Sequence, residues 1–344
     1  MVVKTQTPQN TATQTTPSGP DTTRPPRPRL VTTVRQIGKK LGSALFVVWA
    51  AVTITFLIQA LLPGDRATMI LNQQTGQVQE RSAEELAPIN AAFGFDQPLI
   101  LQYWDFLTGL LRGDLGISYV LYQPVTTVIG DQIWPTVILT VTALALAWVI
   151  AICSLVLTVR RTPWISKLFS GLEAAAAALP QYWLGIILLV VFALQLGILP
   201  VVGGTGVVGL ILPALTLGIP LAGYLSQAMR SEFERTMNQP FVLTARARGL
   251  SDGNIRVTHV LRHALLPGLS LTGWAIGAQF SAAVIAENIF SRPGLGRVLV
   301  TAVNGRDLPV VCGIVMLVAL IYVIINLLTD ITYVVVDPRL KETA

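Results

Sequence analysis

The sequence predicts an all-α integral membrane protein with six transmembrane helices and both termini in the cytoplasm. Of the 344 residues, 52% are hydrophobic and 12% are charged, about half of the roughly 25% charged residues that are usual in soluble proteins. Six uncharged runs are long enough to cross a bilayer, and lysine and arginine concentrate on one side of them. An ordinary soluble protein is therefore excluded, and two cysteines are too few for a disulfide scaffold.

The six spans follow from length. A helix needs about 20 apolar residues to cross the hydrocarbon core, where no backbone polar group can go unpaired. Glycines and Pro200 interrupt the uncharged stretch that holds the third and fourth runs, which predicts a short outer turn between them. The predicted spans are Leu41–Leu62, Ile133–Val159, Ala174–Leu196, Val207–Met229, Ala264–Ala286 and Leu308–Thr329.

The orientation follows from the basic residues, which resist translocation when they lie in short loops. With the N-terminus inside, 18 of the 24 lysines and arginines lie in cytoplasmic segments. The pI near 9.6 therefore reflects topology and gives no case for nucleic acid binding. We expect a multi-pass protein of the cell membrane, in contact with membrane lipid.

Four segments are distinguished by composition. Residues 1–34 are rich in Thr and Pro and predict a disordered cytoplasmic tail, and residues 35–344 form the transmembrane domain. Within that domain, the outer segment 63–132 carries eight acids and three arginines, and the inner loop 230–263 carries six basic residues. Apolar residues at helical spacing between Ile100 and Leu111 predict an amphipathic helix in the outer interface.

Catalytic chemistry has no support in the sequence. No G-x-x-x-x-G-K-[ST] loop is present to bind a nucleotide phosphate. His259 and His263 lie four residues apart, but Val260 stands where a zinc protease needs its glutamate, so we interpret them as part of a solvated basic face. We therefore expect no catalytic residue, no metal site and no bound cofactor, and an enzyme is the least favoured class.

Three ionisable residues lie close to predicted span ends, where charge is costly. We expect water to reach Glu173 and Asp330 at the cytoplasmic face. Glu287 has two open interpretations, contact with water at the outer face or a place at the start of a glycine-rich outer loop that folds back into a vestibule. Candidate residues of a polar pathway or outer gate are Gln279, Glu287, Asn288 and Phe290.

Small residues follow one face of the fifth predicted span. Gly273, Gly277 and Ser281 recur at intervals of four, which allows a neighbouring helix to approach closely. Spacing leaves open whether that neighbour belongs to this chain or to a partner subunit.

A series of ordered motifs resembles the permease subunits of binding-protein-dependent ABC importers, in the branch for dipeptides, oligopeptides, nickel chelates and opines. The resemblance extends from about Arg35 to Arg339. His263 and Asn288 depart from the residues common in that family, which are Asn and Thr. The motifs are Leu62-Pro63-Gly64-Asp65, Asp96-Gln97-Pro98-Leu99, Gly113-Asp114-Leu115-Gly116, Pro180-Gln181-Tyr182-Trp183-Leu184-Gly185, Leu212–Leu217, Pro293-Gly294-Leu295-Gly296, Arg306-Asp307-Leu308-Pro309 and Asp337-Pro338-Arg339.

The inner loop resembles the segment with which these permeases dock on their ATPase. It reads Thr244, Ala245, Arg246, Ala247, Arg248, Gly249, Leu250 and Ser251. A short helix stopped by Gly249 would present two small alanines for close approach and two arginines for acidic partners. The competing interpretation, a basic loop held at lipid headgroups, explains the charge but not the small residues or the glycine.

The resemblance implies a type I ABC importer permease fold and a function. Such a chain would pair with a second homologous permease to form the translocation pathway, with two ATPase subunits beneath and an extracytoplasmic substrate-binding protein above. ATP and magnesium would bind on the ATPase partners only. A stand-alone channel or secondary transporter is the alternative, and it would move its solute without any ATPase.

Overall fold

The computed structural model describes residues 29–201 and 206–336, with side chains described at 38, 42–201 and 206–329. Residues 1–28 of the predicted disordered tail, 1–34, lie outside the described residues. The motif Asp337-Pro338-Arg339 lies outside them too. Contacts divide the chain after Leu45, so that the first part of α1 belongs to one unit and everything from Phe46 onward to another. No β-strand occurs in the described residues.

Thirteen α-helices lie in the described ranges, and two of them continue into π-helical turns, at Leu189–Gln195 and Ile255–Val260. The helices are α1 (Arg29–Leu61), α2 (Arg66–Thr75), α3 (Ala83–Phe93), α4 (Leu99–Leu111), α5 (Val125–Thr158), α6 (Pro163–Ala178), α7 (Gln181–Leu188), α8 (Val208–Thr236), α9 (Pro240–Ala247), α10 (Asp252–Asn254), α11 (Leu261–Ile289), α12 (Leu295–Asn304) and α13 (Leu308–Val336).

Five of the predicted spans are long, continuous apolar helices, contained in α1, α5, α8, α11 and α13. The third predicted span, Ala174–Leu196, is not one helix. It is divided between α6 and α7, whose axes meet at 103°. The reason is Pro180, which cannot donate to the helix and forces Leu179 into an extended conformation. The described chain therefore has six spans when this bent pair is counted as one.

Helix α8 is the centre of the bundle, because it contacts α5, α6, α7 and α11. In its most apolar stretch, 61% of the residues are buried, against at most 39% in the other four continuous spans. Helix α8 approaches α6 closely at Gly223, where an added Cβ would overlap the α6 backbone at Glu173 and Ala177. A glycine allows the two helix backbones to meet without an intervening side chain.

The small-residue face of α11 packs against a helix of the same chain. A Cβ added to Gly273 would collide with Thr329, and one added to Gly277 would collide with the Tyr322 ring. Both neighbours lie on α13, so the helix that approaches Gly273 and Gly277 belongs to this chain, whereas Ser281 is exposed.

The outer segment forms α2, α3 and α4. Asp65 caps α2, and Ser82 and Glu85 form a reciprocal capping box at the start of α3. Helix α4 confirms the predicted helix around Ile100–Leu111, and none of its side chains is fully buried. Its Tyr103 hydroxyl bonds to α1, at 3.1 Å from the Trp49 indole nitrogen and 2.9 Å from the Thr53 hydroxyl.

Two consecutive residues tie the ends of helices together on the predicted outer side. The Arg306 guanidinium donates to the carbonyl groups of residues 62–64, at the end of α1. The Asp307 carboxylate accepts hydrogen bonds from the Ser118 hydroxyl and from two backbone amides, those of Tyr119 and Val120. Burial raises the pKa of the Asp307 carboxyl, although these donors lower it.

We expect the substitution Gly223→Ala to destabilise the helix bundle. The added methyl carbon would lie 2.5 Å from the Ala177 nitrogen and 2.6 Å from the Glu173 carbonyl oxygen, and overpacking of this kind costs roughly 1–3 kcal/mol. Thermal unfolding of the detergent-solubilised protein measures the effect. Gly171→Ala on α6 is the matched control, because a Cβ there meets nothing within 4 Å. Equal unfolding temperatures for the two variants would contradict the close packing.

Candidate functional site

Helix α9 is the short inner helix that the sequence predicts around Gly249. It begins with Pro240, whose fixed φ suits the first helical position. Gly249 is left-handed, with φ +81°. Its amide donates to the Arg246 carbonyl at 2.9 Å, and the Leu250 amide donates to the Ala245 carbonyl at 3.2 Å. This pair of bonds is a Schellman motif, so the predicted left-handed cap is confirmed.

The two faces of α9 have different environments. Val242 and Ala245 are buried in a core cluster that also contains residues of α5 and α8. Leu243, Arg246 and Ala247 share the opposite face and are exposed, with Leu243 at 70%. The sequence predicts that both alanines face a partner, but Ala245 is covered by this chain because it lies one turn after Val242. Only Ala247 keeps its surface free within the chain.

Asp252 brings three arginines together beside α9. Its carboxylate lies 3.3 Å from Arg246, 3.7 Å from Arg161 and 2.5 Å from Arg256. Arg246 belongs to α9, Arg161 follows the end of α5, and Arg256 precedes α11. Asp252 therefore connects α9 and the turn before α11, which are its neighbours in sequence, to the end of α5, which is distant in sequence. Arg248 has no ion pair among the described side chains, and it remains exposed.

Arg256 is almost completely buried, at 2% exposure. Besides Asp252 it contacts the end of α5, where its guanidinium donates to the Val159 carbonyl at 2.6 Å and to the Val156 carbonyl at 3.3 Å. The last carbonyls of a helix have no partner inside that helix and carry its negative dipole end. Arg256 therefore provides hydrogen-bond donors for the last carbonyls of α5 and joins this helix end to Asp252.

A second ion pair lies beside the same end of α5, between α6 and α8. Arg230 of α8 donates to both carboxylate oxygens of Glu173 on α6, at 2.6 and 2.7 Å. Ser154 donates to the same carboxylate, and Arg230 donates to Thr158, so α5 joins the pair. We expected water to reach Glu173, but it is 6% exposed and Arg230 is 8% exposed. That expectation is wrong because the pair neutralises the charges inside the bundle. The Asp330 side chain lies outside the described part.

We did not predict these contacts from the sequence. Asp252 and Arg256 are spaced four apart, as an ion pair on one helix turn is, and that spacing was an available signal. Glu173 and Arg230 are 57 positions apart. The only signal for that pair was the presence of opposite charges at the inner ends of two spans.

The four candidate gate residues lie in or next to the outer half of α11. Gln279, Glu287 and Phe290 are buried within the chain, and Asn288 is partly exposed. The Gln279 amide donates to the Leu217 carbonyl of α8 at 3.2 Å. These contacts hold α8, α11 and the outer loop together. The pathway role of these residues stays a prediction.

Glu287 holds the outer loop onto the bundle. Its carboxylate accepts bonds from the Thr136 hydroxyl at 2.6 Å, the Gly296 amide at 2.7 Å and the Arg297 amide at 3.2 Å. The two amides belong to the first turn of α12, where free N–H groups favour an anion. A Cβ at Gly294 would overlap the Glu287 carboxylate. The loop therefore folds back over a fully buried carboxylate, and the interpretation in which water reaches Glu287 is wrong.

Side chains that could bind a metal ion lie apart from one another in the described residues. Across the described residues, no group of three or more His, Cys, Asp and Glu side chains could hold an ion. The His259 ring contacts the Thr258 hydroxyl, and the His263 ring packs against Phe241 at 5.8 Å.

Comparisons with known proteins cover most of the chain. Residues 150–342 match the family described as binding-protein-dependent transport system inner membrane component, and residues 33–140 match its N-terminal companion. The glutathione transport system permease protein GsiC of Salmonella typhimurium is 33% identical over 304 residues, which are 88% of this chain and 97% of that protein. GsiC of Pectobacterium atrosepticum is 34% identical with the same coverage. A putative peptide transport system permease protein of Brucella abortus is 34% identical over 312 residues, 88% of this chain and 98% of that protein.

We expect Glu173→Gln to lower the thermal stability of the protein strongly, because it leaves the buried Arg230 charge without its partner. Breaking one side of a buried ion pair costs about 3–5 kcal/mol. The double variant Glu173→Gln/Arg230→Met should recover part of the loss, since it removes both charges. Arg235→Gln is the control, because Arg235 itself lies at the surface, 72% exposed, and little change is expected. A single Glu173 variant as stable as that control would contradict the buried pair.

Proposed function

The chain belongs to the family of binding-protein-dependent transport system inner membrane components, and on that premise we propose that it forms, with a second permease, the pathway for peptides or related small solutes. It is a permease subunit of an ATP-driven ABC importer and a multi-pass protein of the cell membrane. It is not an enzyme, since separate ATPase subunits hydrolyse ATP.

The proposed solute class rests on the relatives. Those named above are permeases for glutathione, which is itself a short peptide, and for peptides. We propose a dipeptide, an oligopeptide or a chemically similar cargo such as a nickel chelate or an opine. An extracytoplasmic substrate-binding protein would deliver it. Two ATPase subunits, which bind ATP and magnesium, would complete the transporter on the other side.

The proposed ATPase contact is the exposed face of α9. One observation carries it: α9 is anchored by Val242 and Ala245 on one side and leaves Leu243, Arg246 and Ala247 uncovered on the other. A helix that has a free apolar and basic face, and is fixed to the bundle behind it, suits the transmission of force. A loop held only at lipid headgroups would not need such an anchor.

The orientation in the membrane is part of the proposal. With both termini inside, α9 and the Asp252 contacts lie on the cytoplasmic side, where the ATPases bind. The 18 basic residues on that side against 6 outside support this orientation. Glu287 and α12 then lie outside, where we propose that the folded loop forms part of the outer gate.

The proposed mechanism transmits ATPase closure through α9. Because α9 shares a buried cluster with α5 and α8, and because Asp252 and Arg256 tie it to the end of α5, its displacement moves those helices. The Glu173–Arg230 pair extends the connection to α6. Two packed arrangements of the bundles, biased by ATP, would expose the pathway to alternate sides.

We expect the double variant Arg246→Glu/Arg248→Glu to assemble with its partners at least partly while losing ATP-driven uptake. The reversed charges would repel an acidic ATPase surface, and residue 246 would also repel Asp252. Solute uptake and ATPase stimulation in proteoliposomes measure the effect, with copurification as the test of assembly.

The matched control is Lys167→Glu/Arg262→Glu, an equal charge reversal on exposed side chains outside α9. We expect it to retain most uptake. Normal uptake and ATPase stimulation in the α9 variant would contradict the docking proposal. Uptake by the purified chain without any ATPase would contradict the importer and favour a channel or secondary transporter.

A further inference from the structure

The exposed surface of α8 is narrow and polar. Between residues 212 and 233 only three side chains are exposed, those of Tyr224, Gln227 and Ser231. They follow one another at intervals of three and four and therefore share one face of the helix. All three carry hydrogen-bonding groups, although they lie on the most buried of the five continuous spans.

Helix α11 has a similar strip beside it. Between residues 270 and 289 only Trp274 and Ser281 are exposed, and Asn288 is partly exposed. Intervals of seven place these three on one side of the helix. Asn288 is the one predicted gate residue that reaches this surface.

The two strips meet at an aromatic pair. The Tyr224 and Trp274 rings lie edge to face, with centroids 6.4 Å apart, and their side chains are 50% and 53% exposed. Within the described chain, neither the Tyr224 hydroxyl nor the Trp274 indole N–H has a hydrogen-bond partner. Trp274 lies ten positions, about 15 Å, inside the nearer end of its predicted span, Ala264–Ala286, and Tyr224 lies five positions inside the end of Val207–Met229.

The position of Trp274, well inside its predicted span, disfavours contact with lipid. Tyrosine and tryptophan concentrate at the two membrane interfaces, where their polar atoms reach water, and unpaired polar groups in hydrocarbon are costly. The exposed strip of α5 shows the contrast, because Trp134, Ile138, Val141, Ala145 and Val149 form an almost entirely apolar surface. The strips on α8 and α11 therefore suit an aqueous pathway.

We propose that Tyr224 and Trp274 form a contact point for the translocated solute on the pathway wall, where their free O–H and N–H groups donate to its carbonyl oxygens. This inference rests on the proposed function and assigns the solute class at this point as peptide-like. Tyr224, Gln227, Ser231, Trp274, Ser281 and Asn288 are all uncharged, so this wall recognises the amide backbone and accepts side chains of either charge.

The first test measures access of water to the wall. Single cysteines replace Tyr224, Trp274 or Val141 in a Cys153→Ala/Cys312→Ala background, and the whole transporter is reconstituted in liposomes. A charged, membrane-impermeant methanethiosulfonate reacts with the thiolate, which forms only where water reaches it. We expect labelling at positions 224 and 274 to be at least about tenfold faster than at the control position 141. Rates no higher than at 141 would overturn the proposal, because the wall would then face lipid or the second permease.

The second test removes the donors and keeps an aromatic ring at each position. In the variant Tyr224→Phe/Trp274→Phe, we expect the solute concentration for half-maximal uptake to rise about fivefold or more, as for a lost hydrogen bond. Unchanged uptake would overturn the donor role even if the cysteines react. The wild-type transporter in the same liposomes distinguishes a failure of the donor role from a failure of the proposed function. If the wild type itself shows no ATP-dependent uptake, the proposed function is contradicted.

Discussion

The Asp252 carboxylate is the contact on which the inner surface of the chain depends. It lies among Arg161, Arg246 and Arg256, and each arginine belongs to a different part of the fold. Without it, α9 would be attached only through apolar contacts, and three positive charges would face one another at close range. Since Arg256 also satisfies the last carbonyls of α5, the same carboxylate fixes the position of a long membrane helix. The orientation of α9 follows from that arrangement.

The buried carboxylates have different hydrogen-bond donors on the two predicted sides of the membrane. On the predicted inner side, Glu173 is paired with an arginine, since basic residues are abundant there. On the predicted outer side, Glu287 accepts from the first amides of α12, and Asp307 accepts from the amides and hydroxyl of a turn. Each arrangement satisfies the requirement that no buried charge goes unpaired. The inner contacts join helices, and the outer contacts hold loops onto helices.

Local patterns predicted the features that depend on neighbouring residues. The apolar runs predicted the spans, and Gly249 predicted the end of α9, because hydropathy and left-handed backbone are properties of short segments. The bend at Pro180 was missed because hydropathy contains no information about direction. Ala245 was assigned to the wrong side, since composition does not say which face of a short helix is buried. The Glu173–Arg230 pair and the Tyr224–Trp274 contact depend on the packing of α8 against two other helices, which no local pattern encodes.

We infer that α9 and the neighbouring end of α5 move as one body. Spin labels at Gln239, just before α9, and at Leu157, an exposed residue near the end of α5, can be placed in a chain without other cysteines. Their separation is then measured by pulsed electron paramagnetic resonance in the assembled transporter, with and without trapped ATP. The account predicts the same mean distance in both states. A distance that changes when ATP is trapped would contradict it, because α9 would then move independently of the helix to which Asp252 and Arg256 connect it.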